Sequence, residues 1–217
     1  SALAAAVSLS LPDAARLLKL RGQAMQKAVP VGIGAMAALL GLDLAQVKPI
    51  AEAAAKETGQ VCACANDNAP GQVVVSGHKE AVERAIALAA EQGAKRSVLL
   101  PVSAPFHCAL MKPAADAMGE ALEKTKLSVP SVPLIANVTA QPVSDPETIR
   151  RLLVEQVTAT VRWRESIETM KAEGVTRIFE LGAGKVLAGL TKRIAREIEA
   201  SSAGTPEDIE ATLKALS

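Results

Sequence analysis

Behind Asp13, a side chain suited to capping a first turn, the apolar positions Ala14, Leu17, Leu18, Met25 and Ala28 recur at helical spacing and predict a helix over about 13–28. Pro30, Gly32 and Gly34 then punctuate the chain, and the short apolar run Ala35–Leu42, bounded by Gly41, reads as a buried strand. Asp43 opens a second helix, LAQVKPIAEAAAKETG, which ends on Gly59 as helices commonly do. QVCACAN and GQVVVSG are strand-like runs on either side of the turn material Asp67-Asn68-Ala69-Pro70-Gly71, and they are expected to pair antiparallel. The amphipathic run KEAVERAIALAAEQG predicts a third helix ending at Gly93, and KRSVLLPVS a closing strand.

Residues 34–102 therefore read strand, helix, strand, strand, helix, strand, the split pattern of a ferredoxin-like subdomain. Downstream, the pattern predicts a helix over about 108–125, a short strand at 134–138, a helix from Asp145-Pro146, another over about 163–173 and a strand at 176–182. Gly182-Ala183-Gly184 leads into a last helix, KVLAGLTKRIAREIEA, followed by a mobile tail near Ser201–Pro206. Strands alternating with helices suggest an α/β body with a mainly parallel sheet, formed by residues 1–33 and 103–217, into which 34–102 are inserted. The chain shows no internal repeat and no low-complexity tract.

Composition removes several function classes. The 217 residues carry 24 basic and 23 acidic side chains, a net charge of +1, so no broad basic surface is implied for neutralising phosphates. Phe106, Trp163 and Phe179 are the only aromatics, too few to build stacking platforms for single-stranded nucleic acid. With 49% hydrophobic residues the chain can bury a core without staples. Three cysteines imply no disulfide framework and suit a reducing, cytoplasmic setting. Ser1–Leu11, the most apolar stretch, is shorter than the roughly 20 residues of a membrane span and has no basic region in front of it.

Only two histidines exist, and they differ in setting. His78 lies between a strand and the charged start of a helix, the place of a turn residue. His107, in Ser103-Ala104-Pro105-Phe106-His107-Cys108, follows a strand, where α/β folds present side chains at a carboxyl edge. By position alone it is either a structural loop histidine or a catalytic one. Adjacent Cys108 invites a Cys–His nucleophile reading, although sequence neighbours seldom face each other. Arg21, among Leu17, Leu18 and Leu20, either snorkels to water or grips a carboxylate through its guanidinium fork. Asn66, Asp67 and Asn68 are turn formers first and polar cleft residues second. Gly182-x-Gly184-Lys185 is a weak anion-binding pattern that matches neither the P-loop nor the dinucleotide fingerprint. Cys62 and Cys64 share a strand face and read as core; with no Cys-x-x-Cys and no histidine nearby, no metal site is expected.

Five collinear segments carry a more specific signal: Leu20-Arg21-Gly22-x-x-Met25-Gln26-x-Ala28-Val29-Pro30, Gly34-Ala35-Met36-Ala37-Ala38, Pro70-Gly71-Gln72-Val73-Val74-Val75-Ser76-Gly77, Pro101-Val102-Ser103-Ala104-Pro105-Phe106-His107-Cys108 and Gly182-Ala183-Gly184-Lys185-Val186-Leu187. Together they resemble the malonyl-CoA:acyl-carrier-protein transacylases of bacterial type II fatty acid synthesis, over essentially the whole chain. The resemblance implies an α/β-hydrolase-like acyltransferase body with an inserted ferredoxin-like subdomain. It implies a serine nucleophile in a Gly-His-Ser-x-Gly elbow, with His107 as general base and Gln156 supplying the acceptor that orients it. Arg21 would hold the free malonyl carboxylate, and Met25 and Met36 would line the acyl and pantetheine cleft. Phe106 would exclude an α-methyl group, a discrimination worth about 1–3 kcal/mol.

Two departures accompany the resemblance. Neither the elbow nor the family's Gly-Gln-Gly-Ser segment, which helps build the oxyanion hole, occurs in this sequence. Ser1 aligns just beyond the elbow and is not expected to be the nucleophile. The chain is therefore expected to be the larger C-terminal portion of an acyltransferase, inactive alone because a base without a nucleophile has nothing to activate. The partners implied are malonyl-CoA and an acidic, phosphopantetheinylated acyl carrier protein, with no cofactor, nucleic acid or membrane, and a monomeric state. Lys185, Lys192, Arg193 and Arg196 form either a carrier-protein docking face or an ordinary solvated helix face. The alternative functions are a non-catalytic fragment that binds CoA or carrier protein, and a thiol hydrolase using Cys108.

Overall fold

A short helix α1 (Ala2–Ala5) leads into α2 (Leu11–Ala28), which starts ahead of Asp13. Ser10 is the cap, its Oγ accepting the Asp13 N–H at 3.2 Å, and Pro12 in the first turn needs no hydrogen-bond partner for its nitrogen. Asp13 thus sits inside the helix, one turn later than a capping role requires. These assignments come from a computed structural model that describes residues 2–216; the reading of Ser1 lies outside them.

Strands β1 (Gly34–Leu40), β2 (Cys62–Ala69), β3 (Gln72–His78) and β4 (Arg96–Leu99) form one antiparallel sheet in the order β2-β3-β1-β4. Helices α3 (Leu44–Thr58) and α4 (Lys79–Glu91) occupy the two crossovers. The period of two explains both faces of this sheet. Ala37, Leu39, Val73 and Val75 point to α3 and α4, against Val47, Ile50, Val82 and Ala85, while Met36, Ala38 and Val74 point the other way, to where Phe106 packs. The hairpin turn is shorter than the sequence suggests: β2 continues through Asp67–Ala69, leaving only Pro70-Gly71, with Gly71 at φ +67°.

Gly77 makes the closest approach in the sheet. A Cβ there would lie 1.9 Å from the Val61 carbonyl oxygen and 2.8 Å from Cys62 Cα, both main-chain atoms that cannot rotate aside. Gly77→Ala is expected to lower the unfolding free energy by about 1–3 kcal/mol. Urea denaturation reads this directly, and an unchanged midpoint would mean that the strands separate freely.

The rest of the chain builds a second core, in which α2 packs on α5 (Lys112–Glu123) and α5 in turn on α6 (Pro146–Glu155), with Leu17, Met25, Met118, Leu122 and Ile149 buried together. Its strands are not one mainly parallel sheet. Among the described residues, β5 (Leu134–Ala136) and β6 (Gln141–Val143) form an antiparallel hairpin, and β7 (Arg177–Leu181) and β8 (Glu199–Ala203) a separate parallel pair. β5 is cut short because the chain turns back at Ala140, φ +54°, directly into β6.

Helix α7 (Trp163–Ala172) lies where the pattern places it, but α8 (Val186–Ile194) ends early and Ser201–Ala203 belong to β8. Ala195 and Ile198 turn inward onto Ile167 of α7, which stops α8 and delivers the next residues to β7 as a strand. The supposed mobile tail is therefore paired, and Thr205 and Asp208 cap a further helix, α9 (Pro206–Leu216), reciprocally. No described helix is long and apolar enough to cross a membrane.

Candidate active site

The loop after β4 carries the candidate base, His107. Pro105 packs onto the start of β1, so tightly that a Cβ on Gly34 would lie 2.3 Å from Pro105 Cγ. Phe106 then enters between the two cores, against the Met36 cluster on one side and the Met25 cluster on the other. His107 follows with φ +58°, a left-handed conformation uncommon for a side chain with a Cβ. Cys108 turns inward, donates its S–H to the Pro105 carbonyl at 3.2 Å and opens the 3-10 turn Ala109–Met111 that runs into α5.

His107 Nδ1 lies 3.0 Å from the main-chain carbonyl oxygen of Gln156. A carbonyl only accepts, so Nδ1 carries the proton and Nε2 keeps a free lone pair. Gln156 is the C-terminal cap of α6, and its carbonyl belongs to the last turn of the helix, where carbonyls lack intrahelical partners. The Gln156 side chain is engaged elsewhere, accepting from Asn137 Nδ2 at 3.4 Å. Contact between Gln156 and the histidine therefore runs through the main chain rather than the amide.

Burial pushes the His107 pKa below its ordinary value; the Gln156 carbonyl pulls it back up, the Arg21 charge lowers it, and the Ala159 carbonyl raises it slightly. The net direction is down, so the ring is neutral at pH 7. Arg21, half-buried on α2, has no hydrogen bond or ion pair among the described residues, and burial lowers its pKa too. A half-buried guanidinium with no carboxylate partner among the described residues keeps its full capacity to pair with an anion. Met25 and Met36 are both buried, at 5% and 4% exposure, and Phe106 touches both of their clusters.

Several other sequence readings resolve as structure. His78 occupies the N-cap position of α4 without capping it, and its Nδ1 instead accepts the Val61 N–H at 3.1 Å. Cys108 is 1% exposed, burial raises its thiol pKa, and its S–H is given to the Pro105 carbonyl, the setting of a core residue. Cys62 and Cys64 are pushed up to about 12 and about 11 by burial, and they pack with the sheet core. The Gly182–Lys185 junction is not an open anion cradle, because Glu180 already accepts the Ala188 N–H of α8 at 2.9 Å. Lys192 and Arg196 border an open cleft of about 520 Å³, whereas Arg193 is tied to the Pro70 carbonyl and the Gln72 side chain.

One pair escaped the sequence reading. Asp67 is not a turn residue but a buried carboxylate, 1% exposed, 2.8 Å from Arg164 Nη2. The two are 97 residues apart, and no local signal in the chain points from one to the other.

Residues 1–204 match the model of the acyl transferase domain family. The malonyl CoA-acyl carrier protein transacylase of Escherichia coli (strain K12) is 49% identical over 214 residues, which are 99% of this chain and 69% of that protein. This chain belongs to the malonyl CoA-acyl carrier protein transacylase family. The transacylase of Bacillus subtilis (strain 168) is 44% identical over 216 residues. Among solved structures, the acyl-carrier-protein S-malonyltransferase of Bartonella henselae superposes with a TM-score of 0.93 at 57% identity, covering 99% of this chain and 68% of that one. A malonyl-transacylase solved in complex with a type II PKS acyl-carrier protein superposes at 0.93 with 41% identity, covering 98% and 68%. The transacylase family members are acyltransferases, and the mixed α/β architecture is theirs.

Proposed function

We propose that this chain supplies the general base and the carboxylate clamp for transfer of a malonyl group from malonyl-CoA to the phosphopantetheine thiol of an acyl carrier protein, through a seryl ester. The observation that carries this reading is the His107 ring, fixed with Nδ1 toward the Gln156 carbonyl and Nε2 free, beside the unpaired Arg21 guanidinium. Nε2 takes the proton of the elbow serine as its oxygen attacks the thioester carbonyl, and returns it to the departing CoA thiolate. In the second half-reaction Nε2 takes the proton of the pantetheine thiol, the thiolate attacks the seryl ester, and the serine recovers its proton. Arg21 pairs with the free malonyl carboxylate, and Phe106 with Met25 and Met36 walls the acyl cleft. The reading needs no metal and no cofactor.

The same reading treats residues 34–102 as a ferredoxin-like subdomain inserted into a hydrolase-like body of 1–33 and 103–217. The strand order β2-β3-β1-β4 with two crossover helices supports it. A cytoplasmic monomer is the matching setting.

Intact mass after incubation with malonyl-CoA tests the proposal. The chain alone is expected to gain no adduct, because no Gly-His-Ser-x-Gly elbow occurs in its sequence. Added together with a polypeptide carrying that elbow, it is expected to drive malonylation of the added serine. An adduct on the chain alone would place the nucleophile within it and sink this assignment of roles. CoA or carrier-protein binding without any acylation of the added segment would favour a binding fragment.

Arg21→Ala, in the same paired assay, is expected to shift preference from malonyl toward acetyl by about 10- to 100-fold, the worth of a charge-assisted pair. An unchanged ratio would make Arg21 a structural residue.

A further inference from the structure

β2 is an edge strand, yet its outer side is covered at residues 64–67. Val161 N–H donates to the Ala65 carbonyl at 2.8 Å, Asp67 N–H donates to the Val161 carbonyl at 2.9 Å, and Thr160 Oγ1 donates to the Cys64 carbonyl at 2.6 Å. These bonds seat a strap, residues 156–162, on the sheet through one parallel bridge at Asn66 and Val161. Five residues upstream of that bridge stands Gln156, whose carbonyl receives His107 Nδ1. The position of the catalytic ring is thus referred to the edge of a sheet in the other core.

A single bridge on a sheet edge is the sort of attachment that opens locally. Here it is closed by a buried ion pair just beyond it. Arg164, in the first turn of α7, sets Nη2 at 2.8 Å and Nε at 3.0 Å from Asp67 Oδ2, while Glu168 holds Nη1 at 3.0 Å from both of its oxygens. With Nη1, Nη2 and Nε all engaged, the guanidinium has one orientation. Register shifts between Cys64 and Asn66 and between Asp67 and Ala69 bracket Asp67, a local irregularity of the kind that re-aims a strand side chain. The other side of the strap is held by Arg162, which donates to the Val138 and Thr139 carbonyls of the β5–β6 turn.

We propose that the Asp67–Arg164 ion pair is a positioning device for His107, clamping the 156–162 strap to β2 so that the Gln156 carbonyl stays on Nδ1 and leaves Nε2 as the base. The inference rests on the reading of His107 as general base, but its test does not use turnover.

The test is imidazole tautomer analysis by NMR of the 217-residue chain labelled at histidine nitrogen. The two histidines report opposite states, because His78 Nδ1 accepts from Val61 whereas His107 Nδ1 donates to Gln156. In Asp67→Asn the Nδ1–H share of His107 is expected to fall about two-fold or more, with His78 unchanged. The double variant Asp67→Leu/Arg164→Met, which replaces the pair with apolar groups of similar volume, is expected to keep the fold and show the same loss. His107 retaining its tautomer in either folded variant overturns the proposal, as does collapse of both variants, which would make the pair a fold element only. A negative result leaves the base reading standing; failure of that reading shows instead as full malonyl transfer without His107.

Discussion

Replacing His107 by alanine is expected to cut malonyl transfer by about 10²- to 10⁴-fold in the paired assay, the usual worth of a positioned general base. The loss is expected on the acylation rate more than on malonyl-CoA binding, since the proposed Arg21 clamp and Phe106 wall remain. The pH profile of the unmutated pair carries a second signature. Burial lowers the His107 pKa, so the neutral, competent ring persists below its ordinary value of 6.5, and the rate falls only as acid protonates Nε2 beneath that point. His107→Ala removes this acidic limb along with the rate. A variant that keeps full rate, or a limb centred above 6.5, would show that another group is the base.

Arg164→Ala lowers the unfolding free energy by about 3–5 kcal/mol at pH 7, because it leaves the Asp67 carboxylate buried without its cation. The asymmetry of the pair makes the prediction sharp. Burial raises the Asp67 pKa more than Arg164 pulls it down, so the charged form is already under strain in the native state. A carboxyl whose folded pKa is raised holds its proton longer in the native than in the unfolded chain. Its contribution to stability is therefore greatest at low pH and falls as pH rises from the ordinary value of 3.8 through the raised one. Without Arg164 the folded pKa climbs further, so the deficit seen in urea at pH 7 should shrink at pH values near 4. Adding Asp67→Asn to Arg164→Ala should recover much of the loss. A deficit that stays constant with pH would mean that lost packing, not the stranded charge, is responsible.

Both predictions turn on placements that differ in how far local pattern reveals them. Helices α3 and α4 and the β2–β3 pair announce themselves: Asp43 and Gly59 bracket one helix, and a run of valines follows a Pro-Gly turn. Local signals decide such elements because capping, periodicity and turn chemistry act within a few residues. His107 and Arg21 stood out for the same reason, one a histidine in a strand-to-helix loop and the other a guanidinium among leucines. β8 and α9 were missed where burial of Ala195 and Ile198 against α7 overrode the helical run of the last basic stretch. Asp67 was misread because Asp-Asn-Ala-Pro-Gly has the composition of a turn, while its partner lies on a distant helix. Nothing near Asp67 in the chain announces Arg164.

The sequence by itself determined the family and the order of elements through the first half of the chain, and it singled out His107 and Arg21 as the side chains to test as base and carboxylate clamp. These depend on residue identity and short-range spacing, which the chain displays directly. Only the tertiary structure decided that Gln156 meets the histidine through its main chain, that Nδ1 rather than Nε2 carries the proton, and that Cys108 is spent on Pro105. It also decided that Arg21 stands half-buried with no carboxylate of its own among the described residues. Tautomer, burial and pairing are set by atoms brought together from positions far apart in the chain, and the free energies that govern them exist only once those atoms are in contact and water is excluded.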